Sequence, residues 1–253
     1  MFSYFCFSEI GFDLLKISID SGYLPKQVFT CINDKIIVRD KIKKLCESQF
    51  IEYIETDRKI NINKYFERLD KSLKKPSLII LLWWPYILKE DFISNIDRIV
   101  NLHPSYLPYG RGKYGYVWAI EKNQKYGATI HLVDKDIDSG MIICQEDIEV
   151  NIEDTGETLR NKSILLCKLL FKKNLNNIIR NKIKPYKLKI KGDYNSKKHF
   201  IDSNNDLAKK YTIREAIDFL RARTFKNGQS YIIRDDKNEY ECSIDIKKIN
   251  KDC

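Results

Sequence analysis

The sequence lacks any apolar run long enough to cross a lipid bilayer. About 20 consecutive apolar residues are needed to span the hydrocarbon core, and no run among these 253 residues approaches that length. The N-terminal stretch MFSYFCFSEIGF is apolar, but it has neither the basic segment nor the small-residue cleavage site of a secretory signal. We therefore expect this stretch to form a buried strand, the protein to lie in the cytoplasm, and no membrane to be a partner.

Clustered cysteines are also absent. The seven cysteines are scattered, their number is odd, and there is no CxxC motif or Cys/His cluster. This spacing argues against a disulfide framework and a zinc site, and reduced core thiols suit the cytoplasm. Asp136 and Asp138 lie two residues apart, but no cysteine or third carboxylate nearby completes a set of ligands. We expect no bound metal.

Internal repeats, low-complexity linkers and the glycine-rich dinucleotide fingerprint are missing as well. Where a GxGxxG sequence would follow the first predicted strand, the chain reads Ser8-Glu9-Ile10-Gly11. The first strand and helix therefore do not indicate a dinucleotide site. Composition changes once, near residue 180, and we predict one domain over residues 1–180 and a C-terminal extension over residues 181–253.

Positive charge is abundant and unevenly placed. The formal net charge is +10, and residues 181–253 hold 18 Lys and Arg against 11 Asp and Glu. A basic surface predicts a polyanionic partner, which could be a nucleic acid, a membrane surface or a phosphorylated small molecule. The alternative is a lysine-rich composition spread over solvated faces.

Strands and helices alternate over the first hundred residues. Strands are predicted over residues 2–7, 28–32, 50–54, 77–84 and 99–102, and helices over residues 12–19, 40–48, 61–73 and 89–96. This alternation predicts an α/β fold with a Rossmann-like, mostly parallel sheet flanked by helices.

The remaining chain predicts further elements and a small C-terminal helix and hairpin. We expect a helix after residue 114, strands over residues 128–133, 141–145 and 148–150, and a helix from an Asp154/Glu157 capping box to about residue 180. The extension is predicted to hold a helix begun by a Thr212/Glu215 capping box and a β-hairpin over residues 231–246.

Polar side chains follow the predicted strands where such sheets bind ligands, beyond the carboxyl ends. Asn101 and His103 alternate onto one side of a strand, and Asp138 lies in a later polar turn. An amide or a protonated imidazole stabilises an oxyanion, and a carboxylate holds the imidazolium and helps to take a proton from an attacking amine. These residue types fit acyl transfer to an amine, although an isolated N-x-H sequence is more often a histidine at a sheet edge.

The segments HPSYLP, YGRGK, GATIH and DIDSG occur together and in this order around these residues. With this spacing the chain, over about residues 1–180, resembles the folate-dependent formyltransferases, which include glycinamide ribonucleotide transformylase and methionyl-tRNA formyltransferase. The resemblance implies that Asn101, His103 and Asp138 are the catalytic triad and that N10-formyltetrahydrofolate is the formyl donor. His131 matches a second histidine of the family and supports this interpretation of the loop.

The resemblance also implies a folate site at the aromatic segment after the fourth strand and in the loop before Asp138. The matching positions are Trp83, Trp84, Pro85, Tyr86, Ile87, Val133, Asp134 and Lys135. Flat aromatic rings and exposed backbone suit a pteridine. One of the two tryptophans is expected to pack in the core instead.

The C-terminal extension, residues 181–253, limits which molecule could accept the formyl group. The segments YNSKK (194–198) and LRARTF (220–225) resemble the sugar N-formyltransferases, and a tail with one hairpin looks too short for the tRNA-binding barrel of methionyl-tRNA formyltransferases. The resemblance implies an acceptor that is a nucleotide-diphosphate-linked 3- or 4-amino-dideoxy sugar, dTDP first, used in surface polysaccharide such as lipopolysaccharide O-antigen. The expected acceptor-binding residues are Ser105, Tyr109, Arg111, Lys113, Tyr194, Lys197, Lys198, Arg221, Arg223 and Phe225.

The physical basis of these acceptor assignments is charge and stacking. Lysine and arginine would bind a pyrophosphate, arginine in a bidentate manner, and the aromatic rings would stack on the base. The alternative is that Arg221 and Arg223 only complement a helix dipole and that Lys197 and Lys198 are solvated.

Two other functions stay open. The acceptor could be methionyl-tRNA or glycinamide ribonucleotide, or the basic tail could belong to a nucleic-acid-binding module, although we expect no nucleic-acid partner. A homodimer formed through the hairpin or a sheet edge is a further hypothesis.

Overall fold

The computed structural model describes residues 1–56, 75–204, 209–226, 230–234 and 237–249, so the helix predicted over residues 61–73 lies outside the described residues. The strands are β1 Phe2–Cys6, β2 Gln27–Cys31, β3 Glu52–Thr56, β4 Leu78–Leu82, β5 Arg98–His103, β6 Arg111–Gly112, β7 Tyr126–Leu132, β8 Ile142–Ile148, β9 Tyr194–Asn195, β10 Tyr231–Arg234 and β11 Glu239–Cys242. The helices are α1 Ser8–Asp20, α2 Ile36–Ser48, α3 Glu90–Ser94, α4 Gly115–Glu121, α5 Gly156–Ile179, α6 Lys197–Asn204 and α7 Ile213–Ala222. Within these described segments, no helix combines the length and the apolar character that a membrane crossing requires.

The main sheet has the strand order β3-β2-β1-β4-β5-β7-β8. Strand β1 pairs in parallel with β2 and β4, β2 with β3, and β4 with β5. All five residues of β4 are buried, as expected for a continuous apolar strand that is covered on both faces. Together with the C-terminal helix and hairpin, this confirms the predicted α/β fold class.

The chain forms two compact units, and each is built from three segments. The first unit comprises Met1–His103, Ile130–Cys144 and Cys167–Leu188, and the second comprises Pro104–Thr129, Gln145–Leu166 and Lys189–Cys253. The predicted division into residues 1–180 and 181–253 stays a prediction.

Aromatic and aliphatic side chains fill the core of the first unit. One cluster consists of Phe5, Phe29, Ile79, Leu81, Phe92, Ile96 and Ile99, and Trp84 and Val133 pack against it. The buried cysteines of the described residues are thiols that form no disulfide bond: Cys6, Cys31, Cys46 and Cys167. Burial raises the pKa of Cys46 to about 12, so this thiol stays neutral and unreactive.

The second unit has its own core, a small parallel ladder and an antiparallel hairpin. Its core cluster consists of Val117, Trp118, Ala119, Ile120, Tyr126, Leu159 and Ala222. Strands β6 and β9 form the ladder, and β10 and β11 form the hairpin. Helix α7 begins with the predicted capping box, because Thr212 accepts from the Glu215 backbone N–H and Glu215 accepts from that of Thr212.

The prediction of two separate short strands over residues 141–145 and 148–150 was wrong. One strand, β8, runs without a break from Ile142 to Ile148. It is the last strand of the sheet order, and its edge position tolerates the exposed polar residues Glu146 and Asp147.

The capping box predicted at Asp154 and Glu157 was also wrong. The backbone N–H of Thr158 donates instead to the Thr155 hydroxyl, at 3.3 Å. Asp154 has a different function, because its buried carboxylate accepts from the Lys162 ammonium at 2.7 Å. Burial alone would raise the pKa of Asp154, but hydrogen bonds from Lys162, the Asn151 backbone and Thr158 outweigh it and lower that pKa.

Candidate active site

Strand β5 places Asn101 and His103 at the carboxyl end of the parallel sheet. Asn101 pairs in register with Leu81 of β4, and His103 is the last residue of its strand. Because side chains alternate along a strand, Asn101 and His103 lie on the same face, and Val100 and Leu102 lie on the other. Strand β5 therefore carries an amide and an imidazole side by side on one face.

The loop between β7 and β8 holds Asp138. The loop closes through a hydrogen bond from the Leu132 N–H to the Met141 carbonyl, at 2.8 Å. Its tightness requires glycine at position 140, where a Cβ would lie 1.8 Å from the Leu132 carbonyl oxygen. Asp138 itself has a φ of 49°, in the left-handed region that few residues other than glycine adopt. Backbone strain of this kind occurs at functional sites.

The carboxylate of Asp138 lies between two imidazole rings. Its Oδ2 is 3.5 Å from His103 Nδ1, and its Oδ1 is 3.5 Å from His131 Nε2. The Asp138 side chain is only 11% exposed, so solvent screens these interactions weakly. One mostly buried carboxylate therefore faces both His103 and His131.

His131, on the strand that precedes the loop, contacts both Asn101 and the backbone of its own strand. Its Nδ1 lies 2.7 Å from the Leu132 carbonyl oxygen, and its Nε2 lies 3.3 Å from Asn101 Nδ2. The ring is 2% exposed and stands at 82° to the His103 ring, with centroids 6.2 Å apart. The predicted triad is therefore assembled in one connected cluster, with His131 as its fourth member.

The cluster can support acyl transfer without a metal ion. It combines an amide donor, a chargeable imidazole and a carboxylate, which are the groups that stabilise an oxyanion and move a proton. Among the described residues, no group of three or more His, Cys, Asp or Glu is arranged to hold a metal ion.

The aromatic segment after β4 lies one strand away from Asn101. Trp83 has a φ of 64°, which is an unusual conformation for so bulky a residue. The Trp84 ring packs against Phe5 at 5.1 Å and Tyr86 at 5.6 Å between centroids, so this tryptophan is the one that contributes to the core. Tyr86 accepts a hydrogen bond from the Asn33 amide at 3.2 Å.

The indole N–H of Trp84 bears on whether a pteridine fits this segment. Its Nε1 atom is buried and, among the described residues, has no hydrogen-bond partner. A buried donor of this kind costs free energy unless a ligand satisfies it. Trp83, Pro85 and Tyr86 are half-buried and Ile87 is 72% exposed, so the segment combines an apolar surface with an unused donor.

The loop positions Val133, Asp134 and Lys135 directly follow β7. The Val133 N–H donates to the Ile99 carbonyl at 2.8 Å, which extends the pairing beyond β7. Asp134 and Lys135 are exposed, and the Asp134 carboxylate accepts from the Lys135 N–H. These residues stay predicted folate contacts.

All ten residues predicted to bind the acceptor lie in the second unit. The ladder between β6 and β9 brings some of them together, because Arg111 pairs in register with Tyr194 and the Lys113 N–H donates to the Asn195 carbonyl at 2.8 Å. The Tyr194 ring lies over Gly112, where a Cβ would come within 2.7 Å of the ring. Lys113 and Tyr194 are exposed, whereas Arg111 is buried and donates to the Gly192 carbonyl.

Lys197 and Lys198 follow this ladder in the first turn of α6, and both are exposed. Cations there oppose the helix dipole, so helix stability does not explain them. An anion bound at this helix end would be favoured by both the dipole and the lysines.

The guanidinium groups of Arg221 and Arg223 are engaged inside the second unit. Arg221 is 3% exposed and donates to the backbone carbonyl oxygens of Asn151 and Asp154. Arg223 is 2% exposed, pairs with Glu121, and lies over the Phe219 ring. These contacts tie α7 to its neighbours, and pyrophosphate binding by either arginine stays a prediction.

Ser105, Tyr109 and Phe225 also have contacts within the unit. The buried Ser105 hydroxyl donates to the Tyr109 carbonyl at 3.1 Å. The half-buried Phe225 ring meets Tyr116 edge-on at 5.5 Å between centroids. The Ser105 hydroxyl thus closes the loop, and Tyr109 and Phe225 are both half-buried.

Sequence reasoning missed two features of this region. It used His131 as support for the loop, but not as a partner of both Asn101 and Asp138. It also missed Gly112 as the position over which Tyr194 lies. The position of His131 near the end of the strand before the loop indicated that it lies close to the site. Its contacts could not be predicted, because they depend on how β7 lies beside β5.

Fold and site together define a class: an α/β protein with a mostly parallel sheet, in which a carboxylate and a second imidazole contact the amide and imidazole at the carboxyl end of β5. The formyl transferase family model matches residues 22–166, which is more than half of the chain. The chain therefore belongs to the formyl transferase family. A second model, the N-formyltransferase dimerization C-terminal domain, matches residues 204–248.

Individual proteins agree with this membership. The chain is 31% identical, over 71% of its length, to the bifunctional polymyxin resistance protein ArnA of Wigglesworthia glossinidia brevipalpis, of which it covers 28%. It also resembles methionyl-tRNA formyltransferase of Thermodesulfovibrio yellowstonii, with 32% identity over 41% of this chain and 34% of that protein. The chain thus spans about a third of the length of these curated relatives.

Solved structures of other proteins match over nearly the whole chain. The 4-N formyltransferase of Francisella tularensis superimposes with a TM-score of 0.77 at 26% identity, covering 98% of both chains. An N-formyltransferase of Helicobacter canadensis, in complex with folinic acid and dTDP-3-aminofucose, shares the fold with a TM-score of 0.69 at 24% identity, over 89% of this chain and 81% of that one.

Proposed function

We propose that the protein is a sugar N-formyltransferase. It transfers a formyl group from N10-formyltetrahydrofolate to the amine of a nucleotide-diphosphate-linked 3- or 4-amino-dideoxy sugar, with dTDP as the first nucleotide to test. The observation that carries this proposal is the Asp138 carboxylate, held 3.5 Å from both His103 and His131 in a member of the formyl transferase family. The N-formyltransferase of Helicobacter canadensis, solved in complex with dTDP-3-aminofucose, supports an amino-sugar acceptor.

The reaction balances without an oxidant or a metal. The donor supplies the formyl carbon, to which the amine nitrogen forms a new bond while the bond between that carbon and N10 breaks. One proton of the amine ends on N10, so the products are a formamide and tetrahydrofolate. The protein has to stabilise negative charge on the formyl oxygen and carry this proton.

The three triad residues divide these tasks. Charged His103 and the Asn101 amide donate hydrogen bonds to the formyl oxygen as its negative charge develops. Asp138 keeps His103 charged and relays the proton that the amine loses. The burial of His103 and Asp138 strengthens each of these interactions because little solvent screens them.

The folate is assigned to the aromatic segment of the first unit. Its pteridine would lie against Trp83, Pro85 and Tyr86, and a ligand acceptor atom would satisfy the Trp84 Nε1 donor. The backbone of Val133, Asp134 and Lys135 would complete this site. The complex with folinic acid in the Helicobacter N-formyltransferase supports a folate donor.

The acceptor is assigned to the second unit. Lys113, Lys197 and Lys198 are exposed cations beside the ladder of β6 and β9, and they would bind the pyrophosphate. Tyr194, which is exposed over Gly112, would stack on the base. Tyr109, Phe225, Ser105 and Arg111 would form the surroundings of the sugar.

Three further assignments follow from this function. The match of residues 204–248 to a dimerization domain supports a homodimer. A formylated nucleotide sugar suits surface polysaccharide synthesis such as that of lipopolysaccharide O-antigen, and the substrates of such a pathway are cytoplasmic.

The test is a formylation panel with purified protein. The acceptors are dTDP- and UDP-linked 3- and 4-amino-dideoxy sugars, glycinamide ribonucleotide and methionyl-tRNA, each supplied with N10-formyltetrahydrofolate and followed by mass spectrometry. We expect the mass of a formyl group to appear on an amino sugar. Formylation of methionyl-tRNA or glycinamide ribonucleotide alone would refute the acceptor, and salt-dependent RNA binding without any formylation would favour a nucleic-acid-binding module.

The exposed lysines provide a sharper test of the acceptor site. Replacing both Lys197 and Lys198 by alanine should raise KM for the sugar nucleotide and leave KM for the folate unchanged. The matched control is alanine at Lys43 and Lys44, an exposed adjacent pair on α2 of the first unit. Equal kinetic changes in the two double variants would show that only net charge matters.

A further inference from the structure

We propose that His131 is a positioning residue that holds the Asn101 amide as a hydrogen-bond donor toward the reacting oxygen. This inference rests on the proposed function, because it assigns His131 a part in the same transfer. Two contacts carry it: His131 Nε2 lies 3.3 Å from Asn101 Nδ2, and His131 Nδ1 lies 2.7 Å from the Leu132 carbonyl oxygen.

The Leu132 carbonyl fixes one proton of the ring. A carbonyl oxygen can only accept, so His131 Nδ1 must carry a hydrogen to make the 2.7 Å contact. The ring is 2% exposed, so water does not compete for this position. The neutral ring is consequently the Nδ1–H tautomer, and its Nε2 is an acceptor.

An acceptor at Nε2 fixes the orientation of the Asn101 amide. Among the described residues, Nε2 has polar contacts with Asn101 Nδ2 at 3.3 Å and with Asp138 Oδ1 at 3.5 Å. The carboxylate oxygen only accepts, so the donor has to be the NH₂ group of Asn101. A reversed amide would set its oxygen against the Nε2 lone pair, which disfavours that orientation.

We place a positive charge on His103 and none on His131. The titratable groups in contact with its ring are Asp138 in the loop and His103 on β5. One carboxylate faces both rings, and two positive rings with centroids 6.2 Å apart would repel each other. With that charge on His103, the Nε2 lone pair of His131 is left to accept from the Asn101 amide.

The consequence is a preorganised donor. An Asn NH₂ group has two N–H bonds, and the Nε2 atom of His131 accepts one of them. The second N–H is then held ready for the formyl oxygen before substrates bind, which lowers the reorganisation needed in the transition state. His131 acts through Asn101 and does not itself touch the reacting atoms.

Two substitutions separate the roles of the ring nitrogens. In His131→Asn, the side-chain amide reaches the Nδ1 position, keeps the contact with the Leu132 carbonyl and loses the acceptor for Asn101. In His131→Gln, an oxygen can occupy the Nε2 position and accept from Asn101. We expect His131→Asn to lower kcat by roughly 10- to 100-fold, with KM for the amino sugar nearly unchanged, and His131→Gln to recover most of the loss.

A double-mutant cycle tests whether His131 acts through Asn101. In an Asn101→Ala background there is no amide to orient, so His131→Asn should cause little further loss of kcat. A full additional loss in that background would overturn the proposal, and so would equal losses for the Asn and Gln variants, because both would indicate packing alone.

A spectroscopic measurement on the wild-type protein is independent of the acceptor and of the folding of any variant. Long-range ¹H–¹⁵N correlation of His131 at neutral pH should show a protonated Nδ1 and an unprotonated Nε2. A protonated Nε2 would overturn the proposal. If no acceptor in the panel is formylated, the proposed function fails, whereas the tautomer of His131 is still decided by this experiment.

Discussion

Replacement of Asp138 by asparagine removes the charge that faces both imidazoles and keeps the size of the side chain. Two unit charges 3.5 Å apart attract each other by about 5 kcal/mol at an effective dielectric constant of about 20. The asparagine amide and nearby solvent replace part of this attraction. We therefore take about 4 kcal/mol as the stabilisation of charged His103 that is lost. That corresponds to a fall in kcat/KM of about 1,000-fold.

The assay for this variant is formyl transfer under initial-rate conditions, followed by mass spectrometry of the acceptor. The control is Asp147→Asn, which removes the same charge from an exposed carboxylate on β8 and should leave kcat/KM within about twofold. If Asp138→Asn remains folded and keeps kcat/KM within tenfold of the wild type, the assignment of Asp138 as the partner of His103 is refuted.

Three further substitutions test separate parts of the structure. Trp84→Phe keeps an aromatic ring but removes the unpartnered Nε1 donor, so KM for the folate should rise by about 5- to 30-fold. Gly112→Ala places a Cβ 2.3 Å from the Asn195 carbonyl oxygen at a φ of 88°, and the free energy of unfolding in urea should fall by about 1–3 kcal/mol. Because the folded-state pKa of Asp154 is lowered, its carboxylate stabilises the fold above the unfolded pKa of about 3.9. This stabilisation is lost as pH falls through the lower folded value, so Asp154→Asn should unfold at lower urea concentration at pH 7 and show a weaker dependence on acid.

Each of these experiments has a defined contrary result. An unchanged KM for the folate in Trp84→Phe would show that the ligand does not use this donor. Wild-type stability of Gly112→Ala would show that the ladder between β6 and β9 moves to admit a methyl group. A wild-type acid dependence for Asp154→Asn would mean that the Lys162 contact at 2.7 Å does not contribute to stability.

The sequence was sufficient for the fold class and for the placement of Asn101 on the same strand face as His103, because both depend on local pattern. The continuous apolar residues of β4 predicted a strand covered on both faces, and the structure has it buried throughout. Asn101 and His103 share a face because they are two residues apart on a strand, which needs no tertiary information. The Thr212 capping box was visible for the same reason.

The environment of the arginines depends on contacts that are distant in sequence. The charges of Arg221 and Arg223 were evident, but the carbonyl oxygens and the Glu121 carboxylate that they contact lie about 70 and 102 residues away. The contact between His131 and Asn101 likewise depends on the relative positions of β7 and β5, because it joins residues 30 apart in sequence. No periodicity reports such contacts, because it describes each element by itself.

The most direct test of the central claim follows the formyl group itself. Wild-type protein is given N10-formyltetrahydrofolate with a ¹³C-labelled formyl carbon and a mixture of a dTDP-linked amino-dideoxy sugar and methionyl-tRNA, and the label is traced by NMR and mass spectrometry. We expect the label in a formamide on the amino sugar, with an equal amount of tetrahydrofolate formed. Label on the methionyl group, or label that stays on the folate with folded protein present, would contradict the proposed function.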